Sequence, residues 1–431
     1  MQYFRCIHCG AQQKPDELED IHNQIAKPIN PHPTVDPVDT YYFWFFLRAM
    51  PRIVTISLPL PTVCEDLFRY VENESARSSF LSIAAFIADH QLGRSMDRSL
   101  INYIRTIQTV QLAIQKNQID EGLVVALIFL STIDALRFRS RTCRNHLRGL
   151  RIMFDLLRGS GNPPMMVVCR RVAIRLDCWT SFHLFEEPVF PVTTTKERLE
   201  TELWIGTICP YVEGGDWALV AFGIDDLIHK ASHYAIRIHE LRTKLTNNLQ
   251  PKISSVVASL RAEVDIWRKS PLLSRSEQLE QMMTQFDKPV SKGFLHYPPV
   301  NFYNPRYLGL IMNYHALSIY LAFLLEPEVG LSFDLQRFKS GVEVCRILAA
   351  FEAQEIQPTF GWTKLWAMFL AQAAFGKRGP QETAWLSERL GQVEKWLPLD
   401  GADIGIFAHL SMYKGNFWDK LAETRPPADA G

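Results

Sequence analysis

The sequence has no surplus of either charge, and it lacks the motifs that mark the commonest enzyme classes. Its 431 residues include 46 lysines and arginines against 46 aspartates and glutamates, so the formal net charge is zero. A free-standing nucleic-acid-binding domain usually carries a basic excess, so any basic surface here must be local. There is no G-x-S-x-G elbow, no G-x-x-x-x-G-K-S/T loop and no G-x-G-x-x-G after a strand. We therefore predict that the chain is not an enzyme.

Signals for export, for a disulfide framework and for β-structure are also missing. No apolar stretch typical of a signal peptide lies between Met1 and Pro15. The eight cysteines are scattered without framework spacing, which favours free thiols in a reducing compartment. No pair of alternating runs flanks a hairpin turn, and no repeat with a period of roughly 20–50 residues is present. With 47% hydrophobic and 21% charged residues, the composition predicts a globular chain with a sizeable core.

Helical periodicity dominates what is present. One stripe consists of Leu100, Ile104, Ile107, Gln111 and Ile114, and it is widened by Tyr103 and Val110. Its spacing predicts an amphipathic helix with the stripe against the core and Thr106 on the surface. The run Leu123–Leu130 is apolar on every side, which predicts a central helix. Further helical patterns occupy residues 146–157, 165–185, 224–245, 256–267, 306–325, 334–352, 363–375 and 382–396.

These patterns predict an all-α fold, an irregular multi-helix array in a single large domain. Prolines interrupt residues 1–40, which we expect to be a flexible N-terminal tail. Residues 41–424 form the predicted helical domain, and residues 425–431 a disordered C-terminus. The run Leu308–Leu325 approaches the length of a membrane span, but it contains polar side chains and is bounded by prolines. We interpret it as a buried core helix and expect no contact with a membrane.

A diffuse pattern of helical segments extends over residues 41–420. Its parts are Ser79 to Gly93, the pairs Tyr103-Ile104 and Ile107-Gln108, the turn Asp120-Glu121-Gly122-Leu123 with the apolar helix that follows to Leu136, His146-Leu147-Arg148-Gly149, Ile174 to Phe185 with Asp177, Tyr307 to Leu325, and Trp362 to Ala374 followed by Trp385. This pattern resembles the helical regulatory domain of fungal-specific transcription factors of the zinc-cluster type. It contains no invariant catalytic residues, so it points to a family more than to an activity.

The resemblance implies a transcriptional regulator in the nucleus that controls a metabolic or biosynthetic gene set. It implies a helical module that senses a small apolar ligand or a partner, with co-regulators or a zinc-cluster protein as partners, and it leaves a homodimer open. Such factors usually contact DNA through six cysteines that hold two zinc ions in a basic segment. Here only Cys6 and Cys9 lie near the start, and the next cysteine is Cys64. We therefore expect DNA contact to be indirect, and we expect no cofactor unless a further N-terminal segment supplies the zinc cluster.

Two pairs of residues are weak candidates for metal ligands. Cys6 and Cys9 could supply half of a zinc site, but a closed structural site needs four ligands. His229 and His233 stand four positions apart on a predicted helix and could share one metal, which leaves a metal-dependent enzyme as an alternative. Because the apolar stripe of that helix lies elsewhere, we interpret the histidines as part of a polar, solvated face. That face consists of Asp226, His229, His233, Arg237 and Glu240.

The densest cluster of charge is basic. It consists of Arg137, Arg139, Arg141, Arg144, Arg148 and Arg151. Such a cluster is a candidate contact for phosphate, for an acidic partner or for an import receptor. The alternative is an exposed connection between helices whose arginines extend along apolar surface into water. The second functional alternative to a regulator is an interaction or scaffold protein that does not act in transcription.

Overall fold

The computed structural model describes residues 4–5, 12–13, 37–54, 69–137, 139–157, 163–184, 186–194, 197–199, 214–243, 250–286, 294–298, 300, 305–329, 334–353, 362–375 and 379–396. These residues are 87% helical and contain fourteen helices, which confirms the predicted all-α multi-helix fold. Outside the helices, two-residue strands pair antiparallel, Phe4–Arg5 with Gln12–Gln13. Cys6 and Cys9 lie outside the described residues.

Thirteen of these fourteen helices are α-helices, and the other is a 3-10 turn at Arg69–Glu72. In chain order the α-helices are α1 (Pro37–Val54), α2 (Glu74–Gln91), α3 (Asp97–Gln115), α4 (Glu121–Leu136), α5 (Ser140–Leu156), α6 (Pro163–Leu184), α7 (Gly214–Thr243), α8 (Gln250–Arg268), α9 (Pro271–Phe286), α10 (Pro305–Val329), α11 (Asp334–Ala353), α12 (Trp362–Phe375) and α13 (Pro380–Trp396).

Helices α2 and α4 form the centre of the N-terminal half. Helix α2 contacts α1, α3 and α4, and α4 also contacts α5 and α6. Every residue of α4 from Gly122 to Leu136 is buried, as its uniformly apolar sequence predicts. Phe46 of α1, Phe80 of α2 and Phe129 of α4 meet with ring centroids 4.8 to 5.4 Å apart. This aromatic cluster joins the three helices at their centre.

The first turns of α2 and α4 are capped by side chains that also bond to each other. Asn73 accepts from the Ala76 amide at 3.1 Å, and Asp120 accepts from the Leu123 amide at 2.9 Å. The Asn73 amide nitrogen in turn donates to the Asp120 carboxylate at 2.9 Å. A Cβ at Gly122 would lie 2.5 Å from Asn73 Cγ, so only glycine permits this approach. Both helices therefore begin at one shared polar junction.

Helix α10 holds the C-terminal half together through contacts with α7, α8, α11 and α12. Within the described ranges it is the single helix long and apolar enough to cross a membrane, over Tyr307–Leu324. Of that window, 83% is buried inside the protein. Burial by four neighbouring helices is the arrangement that we predicted for a core helix.

Helix α6 connects the two halves. It contacts α4 and α5 of the N-terminal half and α7 and α12 of the C-terminal half. A second connection runs between α13 and α2. One hydrophobic cluster extends through both halves, from Tyr42 of α1 to Leu390 of α13.

The orientation of α3 differs from the prediction. Its buried face is formed by Ser99, Asn102, Tyr103, Thr106 and Val110. Of the predicted stripe, Tyr103 and Val110 are buried and Ile107 is partly buried, as predicted, whereas Leu100, Ile104 and Ile114 are each more than 40% exposed. The prediction was wrong for these exposed residues and for the buried Thr106, because apolar spacing marks a face without showing which neighbour it meets, and here α2 offers serines as the contact surface.

Several helix boundaries also differ, and one helix was missed: α5 begins at Ser140, α7 at Gly214 and α8 at Gln250, each before its predicted start. Helix α1 begins at Pro37, so the last four residues of the predicted tail belong to a helix. Proline is favoured at the first position of a helix, where its missing N–H costs nothing. Helix α9 was not predicted, although it spans Pro271–Phe286. Residues 14–36 and 397–431 lie outside the described residues, as does the predicted C-terminus at 425–431.

Candidate functional site

A half-open pocket lies between α6, α7 and α12, where the two halves of the fold meet. It encloses about 450 Å³ of empty space, its mouth included. The lining residues are Arg175, Cys178, Trp179, Asp225, Ile228, Ser232 and Trp366. Two tryptophans and an isoleucine give most of the wall an apolar character, as in typical small-molecule sites.

An ion pair forms the polar side of this pocket. Arg175 donates from Nε and Nη2 to one carboxylate oxygen of Asp225, at 2.7 and 2.6 Å. Burial raises the pKa of Asp225 above its ordinary value, although the neighbouring Arg175 opposes that shift. Burial also raises the pKa of the Cys178 thiol, with Asp177 and Asp225 adding to the effect. The pocket therefore offers one paired charge and the Ser232 hydroxyl beside apolar rings.

A second arginine–aspartate pair lies one helical turn away. Arg171 donates to Asp226, and both side chains are only 5% exposed. The Arg171 guanidinium also stacks 4.8 Å above the Phe222 ring, and Thr193 donates to Asp226 at 2.9 Å. The two pairs tie α6 to α7, because a buried charge is tolerated only with a well-placed partner.

The residues that follow α6, 186–194, form a strap held against the bundle by polar side chains. Asp177 accepts from the Val189 and Phe190 amides at 2.9 and 2.8 Å. His233 of α7 donates from Nε2 to the Phe190 carbonyl at 2.9 Å. Arg151 donates to the Val189 carbonyl at 2.7 Å. Side chains from α5, α6 and α7 therefore fix the backbone of the strap.

The predicted histidine pair lies inside this cluster, and the prediction of a solvated face was wrong. Asp226, His229 and His233 are all buried, because α6 and the strap cover that side of α7. The two imidazoles meet edge to face at 4.8 Å, and His229 Nε2 lies 3.7 Å from Asp177. Arg237 alone of the predicted face is exposed there, while the side chain of Glu240 lies outside the described residues.

Burial lowers the pKa of His233, and the neighbouring His229 lowers it further. Among the residues that the structure describes, no three His, Cys, Asp or Glu side chains come together as a metal site. In the structure His233 contacts the Phe190 carbonyl of the strap, and His229 lies 3.7 Å from Asp177 of α6.

The predicted basic cluster divides into two groups. Arg144 is buried, with its Nε 3.0 Å from Glu186 and its Nη1 bonded to Ser181 at 3.3 Å. It also donates to the Glu187 carbonyl of the strap. This side chain is therefore not available to a partner, because the strap closes over it. Arg137 lies half-buried, 5.0 Å above the Phe86 ring.

The other predicted arginines lie at the surface. Arg139 ends the turn before α5, and Arg141 and Arg148 are exposed on α5 itself. Arg148 bonds to Asn145 at 3.1 Å in the same helix. The structure therefore leaves Arg139, Arg141 and Arg148 exposed, engages the exposed Arg151 with the strap and assigns Arg144 to the interior.

The pocket residues were not selected from the sequence. One usable signal was the pair Arg171 and Arg175, four positions apart in an otherwise apolar helix, together with the adjacent Asp225 and Asp226. Charges in apolar helices need partners, and their matched spacing could have predicted the contact of α6 with α7. The tryptophans gave no such signal, since an apolar helix carries aromatic residues in any core.

Comparison with family models, with curated proteins and with solved structures finds no match for the chain. Fold and pocket together define an all-α multi-helix protein with a half-open pocket between α6, α7 and α12.

Proposed function

We propose that this chain is the helical regulatory module of a nuclear transcriptional regulator, which senses a small apolar ligand and is not an enzyme. The proposal rests on the sequence resemblance to the regulatory domain of fungal zinc-cluster factors and on the pocket between α6, α7 and α12. The pocket is the observation that carries it. A gene set for metabolism or biosynthesis is the target that the resemblance suggests.

The position of the pocket suggests how a ligand would change the protein. Trp179 belongs to α6, Ile228 to α7 and Trp366 to α12, so a bound ligand would contact the connecting helix α6 and two helices of the C-terminal half. A ligand that binds the folded protein and not the unfolded chain stabilises the fold by RT ln(1 + [L]/Kd), about 2.7 kcal/mol at a hundred times Kd. Binding would thereby tighten the contact of α6 with α7 and α12, and surfaces on either half would respond.

Contact with DNA is assigned to a partner in this proposal. A protein with a zinc cluster would supply base recognition, and co-regulators would bind the surface of the helical module. Arg139, Arg141 and Arg148 are the exposed basic residues that such a contact would use. Arg144 is excluded from this role by its burial at 7% exposure.

The ligand proposal is tested by fluorescence. Titration with an amphipathic anionic probe, anilinonaphthalene sulfonate, should quench tryptophan emission through energy transfer, with Trp179 and Trp366 nearest to the bound probe. Trp366→Phe should remove a large part of the saturable quenching. The matched control is Trp267→Phe, because Trp267 stacks on Tyr314 of α10 outside the pocket. Equal quenching in both variants, or no saturation, would count against a ligand site.

The role in transcription is tested by genome-wide crosslinking and immunoprecipitation of the tagged full-length chain in its own host. Enrichment at discrete promoters supports the regulator. Arg139, Arg141 and Arg148 should be replaced together by alanine, with Arg275→Ala on α9 as a charge control. Loss of enrichment in the triple variant alone would implicate the basic group. A flat profile at good expression would refute the proposal and favour a scaffold protein.

A further inference from the structure

One face of α7 gives the pocket a polar, an apolar and a second polar side chain in a row. These are Asp225, Ile228 and Ser232, which stand at positions i, i+3 and i+7 and therefore share that face. Trp179 of α6 and Trp366 of α12 supply the rings of the wall. Such a site suits a ligand with an aromatic body and few polar groups, whose chemistry must match the polar atoms of α7.

The ion pair leaves one carboxylate oxygen of Asp225 unused. Arg175 donates from Nε and Nη2 to Oδ2, and among the described residues no donor bonds to Oδ1. Fully enclosed oxygens without a donor do occur in the described part of the chain, as at Asp134 Oδ1, but Asp225 Oδ1 is not one of them. Asp225 Oδ1 therefore still reaches solvent. Because Asp225 lines the pocket, this oxygen presents its lone pairs to whatever occupies the pocket.

The Ser232 hydroxyl is an acceptor as well. It donates its proton to the Ile228 carbonyl of the preceding turn at 3.0 Å. A hydroxyl has one proton and two lone pairs, so the oxygen of Ser232 is left to accept. On its α7 side the pocket thus offers two acceptors, of which Asp225 Oδ1 is the charged and stronger one.

The electrostatic potential in the pocket has the same preference. Burial raises the pKa of the Cys178 thiol, and Asp177, Asp225 and Asp226 raise it further. Carboxylates that oppose the ionisation of a thiol create a negative potential at its sulfur, and Cys178 is part of the pocket wall. A negative potential attracts the partial positive charge on the hydrogen of an N–H or O–H group.

We propose that the ligand of this pocket is a small aromatic molecule whose ring carries an N–H or O–H donor. Asp225 Oδ1 accepts this donor, and the ring lies against Ile228, Trp179 and Trp366. The inference rests on the ligand-sensing function proposed above and names the class of ligand. An aromatic molecule whose one polar atom is an acceptor would displace water from Oδ1 without replacing its hydrogen bond. An unsatisfied charged acceptor is costly, so the pocket should reject that molecule.

Indole and benzofuran are matched probes, because they share two fused rings and differ in an N–H donor against an oxygen acceptor. Equilibrium dialysis of the full chain against each probe gives the two dissociation constants. Indole should bind at one site about 10- to 100-fold more tightly, as expected for one hydrogen bond to a carboxylate. Equal affinities overturn the proposal, as does the absence of saturable indole binding. Equal affinities together with saturable quenching by anilinonaphthalene sulfonate would refute the class of ligand and leave the ligand site in place.

Asp225→Asn tests the acceptor itself. In this variant the carbonyl oxygen stays with Arg175, which needs an acceptor, and the amide nitrogen turns to the pocket as a donor. The preference for indole over benzofuran should therefore disappear, with an unchanged circular-dichroism spectrum. Asp226→Asn is the matched control and should keep the preference, because Asp226 is similarly buried and paired with Arg171 but does not line the pocket.

Two outcomes would overturn the role of Asp225. One is a preference for indole that persists in Asp225→Asn, and the other is a preference lost equally in Asp225→Asn and Asp226→Asn. If Asp225→Asn does not fold, the comparison of indole with benzofuran on the wild-type protein still decides whether the pocket selects a donor.

Discussion

Replacing Asp177 by alanine tests the polar cluster that holds the strap. The Asp177 carboxylate is completely buried, and its two oxygens accept the amides of Val189 and Phe190. Both of these residues are themselves buried, so alanine would leave two amides without an acceptor. An unsatisfied buried donor costs ~1–3 kcal/mol, which gives ~2–6 kcal/mol for the pair. Water that enters the space left by the carboxylate would bring the value towards the lower end.

Hydrogen exchange measures this cost where it arises. A loss of about 2 kcal/mol corresponds to roughly 30-fold faster exchange of the two strap amides through local opening. Asp177→Asn keeps one carbonyl acceptor and should have a smaller effect. Asp155→Ala, an exposed aspartate on α5, is the control and should leave exchange unchanged. If Val189 and Phe190 exchange in Asp177→Ala at the wild-type rate, the strap is not held by Asp177 and our reasoning is wrong.

Three further perturbations follow from burial. Phe80→Ala should lower the free energy of unfolding by ~3–5 kcal/mol in urea denaturation, because the completely buried Phe80 ring is the centre of the aromatic cluster. A loss below ~1 kcal/mol would contradict this prediction. Burial lowers the pKa of Lys364 to about 7 from 10.5, so the unfolded chain binds the proton more tightly than the folded protein does. The free energy of unfolding should therefore rise with pH between these two values. Lys364→Met should abolish that rise, and an unchanged slope in the variant would refute this assignment. Burial raises the pKa of the Cys169 thiol to about 12 and that of the Cys345 thiol well above its ordinary value. Iodoacetamide at pH 8 should therefore label both thiols in urea but hardly at all in the native protein. Peptide mass spectrometry measures the labelling of each cysteine.

The buried charges between α6 and α7 influence how the two halves meet. Replacing a buried ion pair with apolar residues is often neutral for stability. We therefore interpret the pairs Arg171–Asp226 and Arg175–Asp225 as contacts that fix the position of α7 along α6. Each arginine has one aspartate within reach. A slip of α7 along α6 would separate both pairs, and the pocket that depends on this alignment would change shape.

The sequence by itself determined the elements that depend on local pattern. The uniformly apolar run of α4 could only be a central helix, and α10 was recognised as a core helix by its polar interruptions and flanking prolines. The boundaries of α10 to α13 agreed to within about four residues, because caps and prolines act over a single turn, whereas α7 and α8 begin well before their predicted starts. Periodicity also showed that α3 and α7 have two different faces.

Only the tertiary structure decided which face meets which neighbour. Leu100, Ile104 and Ile114 of α3 point outwards because serines of α2 contact the polar side of that helix. The polar face of α7 is buried because α6 brings two arginines to its aspartates. Arg144 is internal because the strap returns over it, at a distance in the chain that no local pattern covers. The pocket combines α6, α7 and α12, which are far apart in sequence. A helix pattern states what a side chain can contact, but burial and pairing depend on the elements that arrive from elsewhere in the chain.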